Sequence, residues 1–145
     1  FAGGVGMKYE EIKKLETATI LKDWMDENVR VIIVRGPVSV VVYLGIPIDH
    51  TFVRKDYNNI ELDCHGGLTF SNEGDGINRP EGLWWYGWDY AHAGDKAFYE
   101  ESFRISNRIE WNDEMVAEDI VPAIQEFKKL MKLAEENKKA THTQK

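Results

Sequence analysis

The chain has 145 residues, 43% of them hydrophobic and 12% aromatic, which is enough for one domain with one apolar core and too little for two. Its formal charge of -7 argues against nonspecific binding to nucleic acid or an anionic membrane, since a polyanion is repelled on average. A single cysteine makes an intrachain disulfide impossible, and the longest apolar run, Val38 to Leu44 with Ser39 inside it, is far short of a membrane span. The expectation is a cytoplasmic protein.

Residues 1–6 carry no pattern and read as an expression remnant or a frayed end, with a single domain expected over 7–137. From Lys8 onward Ile12, Leu15, Ala18, Leu21 and Met25 recur every three or four residues, which predicts an amphipathic helix over 8–27. The period then changes. Val29 to Val34 is rich in β-branched residues, Arg35-Gly36-Pro37 interrupts it, and Val38 to Leu44 resumes it, so strands are expected at 29–35 and 38–45.

Further strands are expected at 67–71 and 83–89, because Leu68 and Phe70, and then Trp84, Tyr86 and Trp88, alternate with residues of the other face. The same alternation should turn Trp85 away from Trp84. Ser71 to Gly82 is a long turn-rich connection, and 96–110 reads as a loop with little regular structure. Asn112 should cap a long helix over 112–136, with Val116, Ile120, Ile124, Phe127 and Met131 in its apolar stripe. Pro122 would either kink that helix or mark a later true start, and residues 138–145 are expected to be a disordered tail. The sum is an α+β domain: a mainly antiparallel sheet covered by an N-terminal helix and a long C-terminal helix.

The chemistry is concentrated between Asp63 and Asp95, where two of the four histidines, the one cysteine and three of the five tryptophans lie among glycines. His65, Asp89, His92 and Asp95 fall just outside predicted strand ends, where loops on a rigid scaffold carry functional groups. Their side chains are suited to a divalent metal and equally to general acid and base work. Thr69 and Trp88 complete the expected ligand-binding set, with one pocket walled by Trp88. No His-Glu-x-x-His, Cys-x-x-Cys or Walker pattern fixes the chemistry. Cys64 beside His65 suggests a thiol nucleophile, but neighbours in a strand point to opposite faces.

The segments His65-Gly66-Gly67-Leu68-Thr69-Phe70 and Gly87-Trp88-Asp89-Tyr90-Ala91-His92-Ala93-Gly94-Asp95 resemble a family of small proteins of uncharacterised function, frequent in phage and prophage genomes. The likeness extends to Gly45-Ile46-Pro47 and Asp56-Tyr57, while Thr51-Phe52 stands where the family tends to carry Pro-Leu after its histidine. Together with the aromatic, glycine-rich centre, the resemblance points to an accessory protein in the host cytoplasm that acts on host physiology or defence by binding a small, nucleotide-like ligand or a host protein, with homo-oligomers also open. Two other readings stand beside it. One is a metal-dependent hydrolase built on the His and Asp cluster, and the other a structural or interaction module in which Asp89, His92 and Asp95 organise a difficult turn.

Overall fold

A computed structural model describes residues 19–50, 56–92, 95 and 109–143. Five antiparallel strands form one sheet in the order β1-β2-β3-β5-β4: β1 (Thr19–Asp26), β2 (Val29–Arg35), β3 (Val40–Pro47), β4 (Phe70–Glu73) and β5 (Leu83–Asp89). Two helices follow, α1 (Asp113–Asp119) and α2 (Val121–Thr143). The α+β class holds.

The helix expected over 8–27 is corrected where the structure describes it, because Thr19–Asp26 is a strand; residues 8–18 lie outside the described set. The physical reason is a break in the pairing of β1 with β2 between Ile20 and Lys22, which inserts a residue and interrupts the alternation. Beyond it Lys22, Trp24 and Asp26 are the more covered positions, so two charged residues sit where apolar ones would announce a strand. Leu21 and Met25, four apart, imitate a helical stripe although both are exposed.

Strands β2 and β5 lie where the sequence places them. Strand β3 starts at Val40, not Val38, because the Gly36 N–H bonds the Ser39 carbonyl at 2.9 Å and holds Pro37 to Ser39 in the turn. Strand β4 is shifted to 70–73, since a turn over Cys64–Gly67 delays pairing with β5. Asn112 caps α1, its side chain accepting from the Met115 N–H at 2.9 Å, and Pro122 marks a second helix start at the point where its missing N–H costs nothing. Residues 138–143, assigned to a disordered tail, continue α2 as helix; once a helix is nucleated each further residue adds a hydrogen bond, and Lys138, Lys139 and Ala140 are good helix formers.

One sheet face packs on the helices. Val31, Ile33, Val42, Leu44, Tyr86 and Trp88 meet Val116, Ile120, Ile124, Phe127 and Met131 in the main core. The other face buries Ile32, Val34 and Trp85, as the alternation requires. There the β4–β5 loop folds back: the Trp85 indole N–H donates to the Pro80 carbonyl at 3.0 Å, and the Arg79 guanidinium lies 4.4 Å from the Phe70 ring centre and 5.1 Å from that of Tyr43. Two glycines make room for large rings across the β3–β5 seam. A Cβ on Gly45 would stand 2.6 Å from the Trp85 ring, and one on Gly87 2.8 Å from the Tyr43 ring.

Candidate functional site

The end of β5 and the start of β4 meet because the strands are antiparallel: Phe70 pairs with Gly87, and the Thr69 N–H bonds the Gly87 carbonyl at 3.0 Å. The turn before β4 therefore lies beside the loop after β5. That turn closes through the Gly67 N–H to the Cys64 carbonyl at 2.9 Å, with Gly66 and Gly67 at φ of 72° and 80°. It lifts His65 toward the β5 exit, where the Tyr90 N–H still reaches the Val40 carbonyl of β3 at 3.0 Å.

Asp95 is the centre of the arrangement. Only 5% of it is exposed, and its carboxylate accepts from the His65 Nε2 at 2.6 Å, the Trp111 Nε1 at 2.7 Å and the His92 main-chain N–H at 3.0 Å. Its own N–H returns to the His92 carbonyl at 2.9 Å. Burial pushes its pKa upward, but the bond from His65 and those from the His92 N–H and Trp111 outweigh burial and hold it below the usual carboxylate range. An ionised Asp95 only accepts, so in this pair the proton resides on the His65 Nε2. The other ring nitrogen, Nδ1, has no hydrogen bond among the described residues.

Aromatic rings fix the imidazole plane. His65 stacks on Tyr90 at 4.4 Å and 13°, and Trp111 meets it edge-on at 5.2 Å. Tyr90 is itself tied down, its hydroxyl donating to Asp119 of α1 at 2.7 Å and accepting from the Trp88 Nε1 at 3.4 Å. Burial above all, with Asp119 as hydrogen-bond partner, raises the Tyr90 phenol well beyond its ordinary pKa, so it stays a donor. His92 lies 5.6 Å from His65, ring to ring. Its Nε2 approaches Asp89 Oδ1 at 3.4 Å without the alignment of a hydrogen bond, while Asp89 accepts from the Ala91 N–H at 3.1 Å. The His92 ring presses on Gly66 so closely that a side chain there would collide with it.

The structure thus gathers His65, Asp89, His92 and Asp95 at one end of the sheet. Trp88 lies in the main core and reaches the cluster only through Tyr90, because its place in the alternation turns it toward the helices. Thr69 is exposed one residue before β4 and contributes its main-chain bond to Gly87. The four polar residues meet as hydrogen-bonded and ion pairs, and among the described residues no three His, Cys, Asp or Glu side chains are placed to hold a metal ion. Burial first, then the carboxylates of Asp63 and Glu126, push the Cys64 thiol up to about 12, which keeps it protonated and removes it as a nucleophile at neutral pH.

Two members escaped the sequence reading. Tyr90 lies inside the Asp-Tyr-Ala-His segment and could have been found from the need of a buried phenol for a partner. Trp111 carries no such signal: it is 16 residues beyond Asp95 and is brought in by the position of α1. No family model, curated protein or solved structure matches this chain.

Proposed function

We propose that the chain is an accessory protein of the phage and prophage kind that its motifs resemble, acting on host physiology or defence by binding a host protein or a small nucleotide-like molecule at the face carrying His65 and His92. The observation that supports this reading is the His65 imidazole. It is oriented by a buried carboxylate and two aromatic rings, a quarter of its side chain is exposed, and Nδ1 is left to bond a group from outside. Of the two occupants, a host protein suits the charge better. Among the described residues no lysine or arginine pairs with the cluster, whereas Asp89, Asp95 and Asp119 all belong to it. A second reading, the turn-organising structural module, draws support from Asp95 itself, whose two oxygens are both occupied by the protein's own donors. The metal-dependent hydrolase would need some of those bonds to open.

Thermal melting separates the three, because a ligand at about 100 times its Kd that binds only the native state adds about 2.7 kcal/mol. The binding reading expects a linear or cyclic nucleotide, or failing these a host protein, to stabilise the parent, and His65→Ala to lose that effect while still folding, at a cost of about 1 to 3 kcal/mol for the lost bond to Asp95. Stabilisation by zinc or manganese that is lost in His92→Ala would support the hydrolase. A strongly destabilised His65→Ala, in a parent that no ligand or host protein stabilises, would leave the structural module.

A further inference from the structure

The turn that carries His65 also borders a groove of about 490 Å3, and its chemistry differs from that of the His cluster. Tyr57, Ile60, Leu62 and Leu68 give it an apolar floor, and Gly67 leaves one end open, with no atom within 4 Å of where a side chain would begin. Among the described residues its rim holds the carboxylates of Glu61, Asp63 and Glu126 and no lysine or arginine. The wall from Ile60 to Asp63 is strand-like without belonging to the sheet: Ile60 and Leu62 are buried, Glu61 and Asp63 exposed, in the alternation of an extended chain. It is pinned to α2 by the Asp63 N–H, which donates to Glu126 Oε2 at 3.0 Å, and so is fixed in place before any partner arrives.

From these features we infer that the groove is a docking site for an extended basic peptide segment of a protein partner, which lies along Ile60–Asp63 with an apolar side chain on Leu62 and Leu68 and flanking arginine or lysine side chains at Glu61, Asp63 and Glu126. The inference goes beyond the binding reading above, since the groove is a second site beside the His65 face. An extended ligand suits a wall that is itself extended, since its alternate side chains then meet the lining and supply selectivity. Opposed charge suppresses acidic competitors and speeds encounter.

The test uses the full chain and two fluorescein-labelled hexapeptides, one alternating arginine and leucine, the other alternating glutamate and leucine, followed by fluorescence anisotropy at low and at physiological salt. The arginine peptide should bind, and the glutamate peptide should not. Glu61→Lys should weaken the arginine peptide about tenfold or more by reversing one rim charge. Glu61 is exposed and makes no side-chain bond among the described residues, so its variant should melt like the parent. Asp63→Asn, which leaves the Asp63 N–H in place for Glu126, should weaken binding less. Absence of binding, equal binding of both peptides, or an arginine-peptide affinity indifferent to Glu61→Lys would each overturn the groove assignment. His65→Ala should leave peptide binding intact, so a His65-dependent thermal shift that survives failure of the peptide test would sink this inference and spare the binding reading.

Discussion

Beneath α1 and α2 the sheet is covered by side chains that have almost nothing polar to satisfy. Ile120, Ile124, Phe127 and Met131 meet Val31, Val42 and Leu44, each of them nearly or wholly buried. Around Asp95, at the end of the sheet where β5 exits, cohesion comes instead from one carboxylate and three donors, at His65, His92 and Trp111. The first region tolerates exchange of one apolar shape for another, because its stabilisation scales with area and packing. The second is directional: each donor has one acceptor, and losing that acceptor leaves several half-buried donors unpaired at once. A region of the second kind is poorly suited to gradual repacking and well suited to holding an imidazole at a fixed angle.

The contrast breaks most sharply if a charge enters the first region. Ile120→Asp would bury an unpaired carboxylate between helix and sheet, and should cost about 3 kcal/mol or more, measured by urea denaturation. A variant that unfolds like the parent would remove Ile120 from the core. In the second region Asp95→Ala should cost somewhat less, about 2 to 4 kcal/mol, because His65 and Trp111 lose their acceptor together.

Acid offers a gentler route to the same bond set. Since the folded state lowers the Asp95 pKa from its ordinary 3.8, the stabilisation it brings is fully present above that value and is lost as pH falls through the lower, folded pKa. Comparing the parent with Asp95→Asn from pH 6 down to pH 2, the gap in stability should narrow at the acid end. A constant gap would mean that the ionised form is not what matters. The smallest effect expected is that of Trp111→Phe, which keeps a ring against His65 and Tyr90 but removes one donor to Asp95, at about 1 kcal/mol. A loss as large as that of Asp95→Ala would assign Trp111 to packing and not to the polar knot.

The two regions also differed in how far the residues alone revealed them. Strands β2 and β5 and the helical stripe of Ile120, Ile124, Phe127 and Met131 were legible because period and composition agree there. β1 was not, since its bulge and its inward Lys22 and Asp26 erase the period of two. In the polar knot, Asp89, His92 and Asp95 announce themselves by spacing within one loop, and His65 by its glycine-flanked turn. Trp88 was misplaced because an aromatic beside a polar motif suggests a wall, when its strand parity already sends it to the core. The contribution of Trp111 depends on where a helix docks, which short-range pattern does not encode.

The paired glycines of the β3–β5 seam bear on how this sheet avoids assembling wrongly. A slip of one residue would exchange the two faces and be rejected by the hydrophobic pattern, but a slip of two preserves every inward and outward assignment. In the native alignment Tyr43 faces Gly87 and Gly45 faces Trp85. Shifted two residues one way, Tyr43 would face Trp85, ring against ring, with Leu83 opposite Gly45; shifted the other way, Gly45 would face Gly87 and leave a gap while Tyr43 stood opposite Asp89. The two ring-and-glycine pairs thus work as a key that only one alignment accepts, and they guard the seam on which the meeting of His65 with the β5 exit depends.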